Sequence, residues 1–138
     1  MPNLVVDTSA LLAFFDSSEP DHAAVERHLT TNADLLIVSP YVVAELDYLV
    51  ATRHGVQAEL AVLGELTGGA WELVDFDAGD LERARSIIAK YGDQDIGVAD
   101  ASNVVLADRF RTRTIVTLDR RHFEILRPIT GNRFTVLP

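Results

Sequence analysis

The sequence contains no cysteine. Disulfide bonds, thiolate catalysis and cysteine-ligated zinc are therefore excluded, and the lack of a disulfide framework favours a cytoplasmic location. No apolar run reaches the roughly 18 residues that a membrane-spanning helix needs. The N-terminus lacks a basic region, and Asp7 interrupts its first apolar run. The sequence thus predicts no signal peptide and no membrane partner.

Basic residues are scarce and unevenly distributed. The 138 residues include 12 Lys and Arg against 21 Asp and Glu, which gives a net charge of −9. Residues 109–138, however, contain seven of these basic residues and two acidic ones, a local charge of +5. The acidic total argues against a nucleic-acid partner, whereas this C-terminal segment can either contact phosphates or form a solvated arginine-rich face.

Apolar segments alternate along the chain between strand-like and helix-like lengths. Hydrophobic residues make up 48% of the chain and charged residues 24%, which is typical of a globular protein, and we expect residues 1–138 to form one domain. The predicted strands are 4–6, 35–38, 71–76, 114–118 and 134–137; the predicted helices are 10–15, 21–29, 40–54, 56–66, 81–91 and 96–110, with a loop at 30–32. This alternation predicts an α/β fold, a three-layer α/β/α sandwich around a central, mostly parallel sheet.

Two aspartates directly follow buried strands. Asp7 comes after Leu-Val-Val, and Asp119 comes after Thr-Ile-Val-Thr-Leu. The carboxyl ends of parallel strands are where open α/β sheets place their ligand crevices. The alternative is that both aspartates only cap the segments that follow them.

Two further acids lie in helices whose neighbours are apolar. Glu45 shares a predicted helix face with Val42 and Leu49, and Asp100 has Ile96 and Val104 one turn away on either side. A buried, ionised carboxylate without a partner is costly, so we expect each to be paired, protonated or bound to a cation. The alternatives are a glutamate that reaches water at the edge of the apolar stripe, and an aspartate that favours the helix N-terminus.

Taken together, the four acids indicate a metal site. Like charges that converge repel one another unless a cation compensates them. Oxygen ligands without cysteine or a histidine pair favour Mg²⁺ or Mn²⁺, and such a site suits phosphodiester cleavage by an activated water, without a protein nucleophile. Thr8, Ser9 and Thr117 would then orient ligands or substrate, while Asp95 is predicted to cap the helix that carries Asp100.

Four sequence motifs contain these acids. They are Leu-Val-Val-Asp-Thr-Ser-Ala-Leu-Leu, Pro-Tyr-Val-Val-Ala-Glu-Leu, Gly-Val-Ala-Asp-Ala-Ser and Val-Thr-Leu-Asp-Arg-Arg-His-Phe. In their order and in the length of the chain, they resemble the motifs of the PIN domain, and more narrowly those of the VapC toxins of bacterial toxin–antitoxin pairs; the resemblance covers essentially the whole chain. By this resemblance, the acidic quartet of the family corresponds to Asp7, Glu45, Asp100 and Asp119.

The resemblance implies a Mg²⁺- or Mn²⁺-dependent endoribonuclease. It implies a VapB-type antitoxin as partner and a second copy of the chain, hence a homodimer and a heterotetramer or larger assembly with the antitoxin. It also implies inhibition by an antitoxin Arg or Lys inserted among the acids. Asp95 matches another polar position of the family, and Arg120, Arg121 and His122 in the basic segment are the candidate RNA contacts.

Two other functions are alternatives to the nuclease. A phospho-receiver module would need an acid pair after the first strand and a lysine after a late strand, but Asp7 stands alone and Lys90, the sole lysine, falls in a predicted helix. A catalytically inactive PIN-like module that only binds protein or RNA is disfavoured by the complete set of four acids. The nuclease therefore remains the prediction.

Overall fold

A computed structural model describes residues 2–31 and 34–138 of the chain. Within this part, five strands and seven helices follow one another: β1 Leu4–Val6, α1 Thr8–Phe15, α2 His22–Thr30, β2 Leu36–Val38, α3 Pro40–His54, α4 Val56–Leu66, β3 Glu72–Leu73, α5 Ala78–Lys90, α6 Val98–Arg109, β4 Thr114–Val116, α7 Arg120–Ile125 and β5 Thr135–Leu137. Asn32, which belongs to the predicted loop, lies outside the described residues. None of the helices seen in the described ranges combines the length and the apolar character needed to cross a membrane.

The strands form one parallel sheet in the order β3-β2-β1-β4-β5. β1 pairs with β2 on one side and with β4 on the other. Successive strands are thus added on one side of β1 up to β3 and on its other side from β4 onward, so the strand order reverses beside β1. The carboxyl ends of strands at such a switch point open into a crevice. The ends of β1 and β4, which precede Asp7 and Asp119, meet there.

Helices cover both faces of this sheet, as the predicted three-layer sandwich requires. Along β1, Leu4 and Val6 belong to one buried core together with residues of α1, α2, α3 and α4. Val5, which points the other way, belongs to a second core with residues of α5, α6 and α7. Alternate side chains of a strand face opposite sides of a sheet, so a strand buried on both faces is apolar throughout. The predicted fold class is confirmed.

The structure corrects several of the predicted bounds, of which three bear on the sheet edge and the candidate site. β3 pairs with β2 only through Glu72 and Leu73, although residues 71–76 were predicted as a strand. α6 begins at Val98, and its N-cap is Gly97. The prediction that Asp95 caps α6 is therefore wrong, and Asp95 instead takes a left-handed conformation with φ of 59°, which aspartate tolerates better than most residues. The predicted turn after Asp119 is a short helix, α7.

Candidate active site

Asp7 is a buried carboxylate at the end of β1. Its side chain is 5% exposed and makes no capping hydrogen bond to α1, although Asp7 occupies the N-cap position. Instead, Thr117 donates from Oγ1 to Asp7 Oδ2 at 2.7 Å, and Asn103 donates from Nδ2 to Asp7 Oδ1 at 3.1 Å. The fold therefore uses this carboxylate for something other than capping.

A chain of hydrogen bonds joins Asp7 to the segment around Asp119. Because the Thr117 hydroxyl donates its hydrogen bond to Asp7, the 3.1 Å contact between Ser9 and Thr117 has the Ser9 hydroxyl as its donor. The Ser9 hydroxyl in turn accepts from the amide of Leu118 at 2.8 Å, and Thr117 Oγ1 accepts from the amide of Asp119 at 3.0 Å. The two strand ends are thus fixed relative to each other.

Asp100 lies in the first turn of α6, opposite His122 of α7. His122 Nδ1 is 2.9 Å from Asp100 Oδ2 and 3.0 Å from Asp119 Oδ2. Neither contact is aligned as a hydrogen bond, so the imidazole acts on both carboxylates mainly through charge when protonated. Like Asp7, Asp119 occupies an N-cap position without a capping bond from its side chain.

Burial and mutual repulsion raise the pKa values of two of these acids. For Asp7, burial is the main cause of the raised pKa; the Thr117 hydrogen bond opposes it, and the charges of Glu45 and Asp119 add to it. For Asp100, burial followed by the charge of Asp7 raises the pKa to about 6, against the lowering effect of His122. These carboxyls therefore lie close enough to repel one another.

Glu45 is exposed rather than buried, which corrects the prediction for α3. The buried stripe of this helix consists of Val42, Leu46 and Val50, and Glu45 lies beside it facing solvent. The alternative stated for Glu45, a side chain at the edge of the apolar stripe that reaches water, is therefore the one that matches its exposure. Glu45 nevertheless acts electrostatically on Asp7 and Asp100, so its side chain faces the other acids.

All four acids line one open cavity of about 450 Å³. Its other residues are Thr8, Ser9, Leu12, Leu49, Asp95, Gly97, Val98, Ala99 and His122. The cavity thus gathers five carboxyl groups from four parts of the chain, with His122 as its one basic side chain. Arg120 and Arg121 are exposed and lie outside it.

Asn103 and the position of His122 were not expected from the sequence. Asn103 is fully buried in the middle of α6, between Ser102 and Val104. The sequence signal that could have revealed Asn103 is a polar side chain three residues after Asp100, immediately before the apolar run that begins at Val104. The sequence predicts His122 as an RNA contact, but in the structure it lies one helical turn after Asp119 on α7 and contacts Asp100.

Comparison with known proteins agrees with this geometry. A model of the PIN domain matches residues 4–127, and the chain belongs to the PIN-domain family. Within that family it is a homologue of the VapC ribonucleases: it is 69% identical to Ribonuclease VapC26 of Mycobacterium tuberculosis (strain ATCC 25618 / H37Rv) over 135 residues, which cover 98% of this chain and 100% of that protein.

Solved structures of lower sequence identity share the fold. The sarcin–ricin-loop-cleaving toxin VapC20 of Mycobacterium tuberculosis is 18% identical and superposes with a TM-score of 0.78, covering 85% of this chain and 90% of that one. DNA-bound VapBC of Salmonella typhimurium is 22% identical with a TM-score of 0.70, over 99% of this chain and 98% of that one.

The family implies the use of a divalent cation, and the cavity fits one by its donor chemistry. Its polar lining is mostly oxygen, including a buried Thr8 Oγ1 that has no hydrogen-bonding partner among the described residues. Such donors suit Mg²⁺ or Mn²⁺. In the described ranges, however, no three acidic or histidine side chains already form a compact ligand set. The carboxylates share a cavity without converging on one point.

Proposed function

We propose that this chain is a metal-dependent endoribonuclease toxin of the VapBC type, which cleaves cellular RNA. One observation carries the proposal: acids that follow β1 and β4 and acids on α3 and α6 line a single cavity, and no Lys or Arg is among its described residues. A cavity with this charge repels a phosphodiester, so it needs a divalent cation before RNA can approach. The 69% identity to a protein named as a ribonuclease supports the same function.

The residues proposed to hold the cation, Mg²⁺ or Mn²⁺, are Asp7, Glu45, Asp100 and Asp119. When bound, such an ion lowers the pKa of a water and neutralises charge on the phosphate and the leaving oxygen. The protein must present its carboxylate oxygens in fixed directions. Thr117 and Asn103 each hold one oxygen of Asp7, and Ser9 supports Thr117.

Exposed and buried acids have different parts in this proposal. Asp7 is fixed by two hydrogen bonds, whereas Glu45 is exposed on α3 and can move without disturbing the core.

Asp95 and Thr8 are proposed to bind water or substrate at the cavity wall. His122 contacts both Asp100 and Asp119, and Arg120 and Arg121 remain the candidate RNA contacts outside the cavity.

The proposed protein partners are a VapB-type antitoxin and a second copy of the chain, in a heterotetramer or larger complex. Shared folds with VapBC complexes support the first. An antitoxin Arg or Lys inserted into the acidic cavity would form charge-assisted hydrogen bonds with the carboxylates and block the cation.

The test compares the wild type with the Asp7→Asn and Asp100→Asn variants by sequencing new 5′ ends after induction in cells. Both variants keep side-chain size and remove one negative charge, so we expect the specific 5′ ends to disappear while the proteins still fold. Asp21→Asn is the matched control, because Asp21 is exposed and lies outside the cavity. Equal cleavage by all four proteins would refute the proposal. If even the wild type produced no new 5′ ends, the result would favour a binding module without catalysis.

A further inference from the structure

A second polar cavity, of about 420 Å³, is lined by a different face of α7 from the one that lines the acidic cavity. We call it the arginine cavity, and its residues are Arg120, Phe123, Glu124, Arg127, Arg133, Phe134 and Val136. It thus gathers three arginines, one on α7, one just after it and one just before β5, in a chain whose net charge is −9.

Within the described residues, no ion pair joins these three arginines to an acidic side chain, and Glu124 is the one carboxylate among the residues of the cavity. Elsewhere in the chain, Arg83, Arg85 and Arg109 form ion pairs with acidic side chains. In the arginine cavity, Arg120 donates to the main-chain oxygen of Pro138 at 2.8 Å, and Arg127 donates to the carbonyl of Glu124 at 2.6 Å. These bonds use one nitrogen of each guanidinium and leave its charge and remaining N–H groups available.

Two buried aromatic rings form part of the wall of the arginine cavity. Phe123 and Phe134 are buried and pack edge to face, with ring centroids 5.8 Å apart. Arg120 and Arg127 are held by main-chain oxygens around this pair. Guanidinium groups fixed in this way lose little freedom on binding and match the oxygens of a phosphate.

The two cavities share α7 as a common wall. Asp119 and His122 face the acidic cavity, while Arg120 and Phe123, each one residue further along, face the arginine cavity. An α-helix with its side chains is about 10 Å across. A single RNA strand that crosses the N-terminal end of α7 therefore passes from the acids to the arginines within a short distance.

We infer that the arginine cavity is a subsite for a backbone phosphate of the RNA strand, next to the bond that is cut. This inference rests on the proposed ribonuclease function, which it extends by placing part of the substrate. The acidic cavity needs a cation before it accepts a phosphate, whereas the arginine cavity attracts one without help. RNA affinity in the absence of metal should therefore come largely from the arginines.

The test measures equilibrium binding of a single-stranded RNA to the Asp7→Asn protein without divalent metal, over a range of salt concentrations. Each phosphate contact contributes a slope of about 0.7 in log affinity against log salt. We expect Arg133→Gln and Arg127→Gln each to reduce the slope by about this amount. Arg133→Lys, which keeps the charge, should retain the slope.

Arg53→Gln is the matched control, because Arg53 is exposed near the end of α3 and lies outside the arginine cavity. An equal loss of slope in Arg53→Gln would overturn the subsite, since it would show only nonspecific attraction. An unchanged slope in Arg133→Gln and Arg127→Gln would overturn it as well. Because this assay needs no cleavage, arginine-dependent binding combined with a wild-type protein that cuts no RNA would refute the proposed function, and would leave the arginine cavity as a phosphate site without a neighbouring cleavage site.

Discussion

Replacing Asp100 by asparagine should stabilise the metal-free protein at neutral pH. Burial and the charge of Asp7 raise the pKa of Asp100 from its ordinary value of 3.8 to about 6. The folded state therefore favours the protonated carboxyl. This contribution to stability is complete below pH 3.8 and is lost as the pH rises through about 6.

The size of the effect follows from the same pKa. One pH unit corresponds to about 1.4 kcal/mol, so a rise from 3.8 to about 6 amounts to about 3 kcal/mol when complete. The Asp100 side chain is 15% exposed, so solvent screens it only partly. Asp100→Asn removes the ionisation, while Asp7, Glu45, Asp119 and His122 remain in both proteins. The free energy of unfolding of Asp100→Asn minus that of the wild type should therefore increase by about 2 to 3 kcal/mol between pH 4 and pH 7.5.

The assay is urea unfolding of both proteins with EDTA at several pH values. Glu72→Gln is the control, because Glu72 is an exposed acid outside the cavity, and it should show no comparable trend. Added Mg²⁺ should stabilise the wild type at pH 7.5 more than Asp100→Asn. A difference between wild type and Asp100→Asn that stays constant with pH would refute the electrostatic reasoning.

Three more predictions concern the network, the metal and the RNA. Asn103→Leu keeps the branched shape and the number of side-chain heavy atoms but leaves Asp7 Oδ1 without its hydrogen bond from Asn103. Loss of a hydrogen bond to a charged group, about 1.5–3 kcal/mol, should weaken Mn²⁺ binding in calorimetry by about tenfold or more. Ser102→Ala, a buried polar change in the same helix, should not weaken it. Asp7→Asn should raise the metal-free melting temperature and abolish the further rise that Mg²⁺ gives the wild type, and a full Mg²⁺ response would contradict the assignment of Asp7. Arg120→Ala combined with Arg121→Ala should weaken RNA affinity and flatten its salt dependence, and an unchanged salt slope would exclude both arginines from phosphate contact.

The fold could be predicted because the apolar residues of the sequence are those that pack between the sheet and the helices on its two faces. Leu4, Val5 and Val6 must be buried on both faces, and short strands of this kind between amphipathic helices leave few alternatives to a covered parallel sheet. The extent of β3 could not be predicted in the same way. An edge strand has a neighbour on one side only, and its length depends on how far that neighbour pairs with it.

The site was predictable where it depends on strand ends and not where it depends on helix packing. Asp7 and Asp119 had to meet because β1 and β4 are parallel neighbours. The exposure of Glu45 was not predictable, because periodicity assigns a side chain to a helix face but does not show where a cavity opens beside it. The contacts of Asn103 and His122 depend on how α6 and α7 lie against β1 and β4, which local sequence does not encode.

Anomalous scattering from crystals soaked in Mn²⁺ shows directly whether these acids form one divalent-cation site. We expect a peak in the cavity between Asp7, Glu45, Asp100 and Asp119, and no peak there in crystals of Asp7→Asn. A wild-type crystal in which Mn²⁺ binds only elsewhere would contradict this expectation.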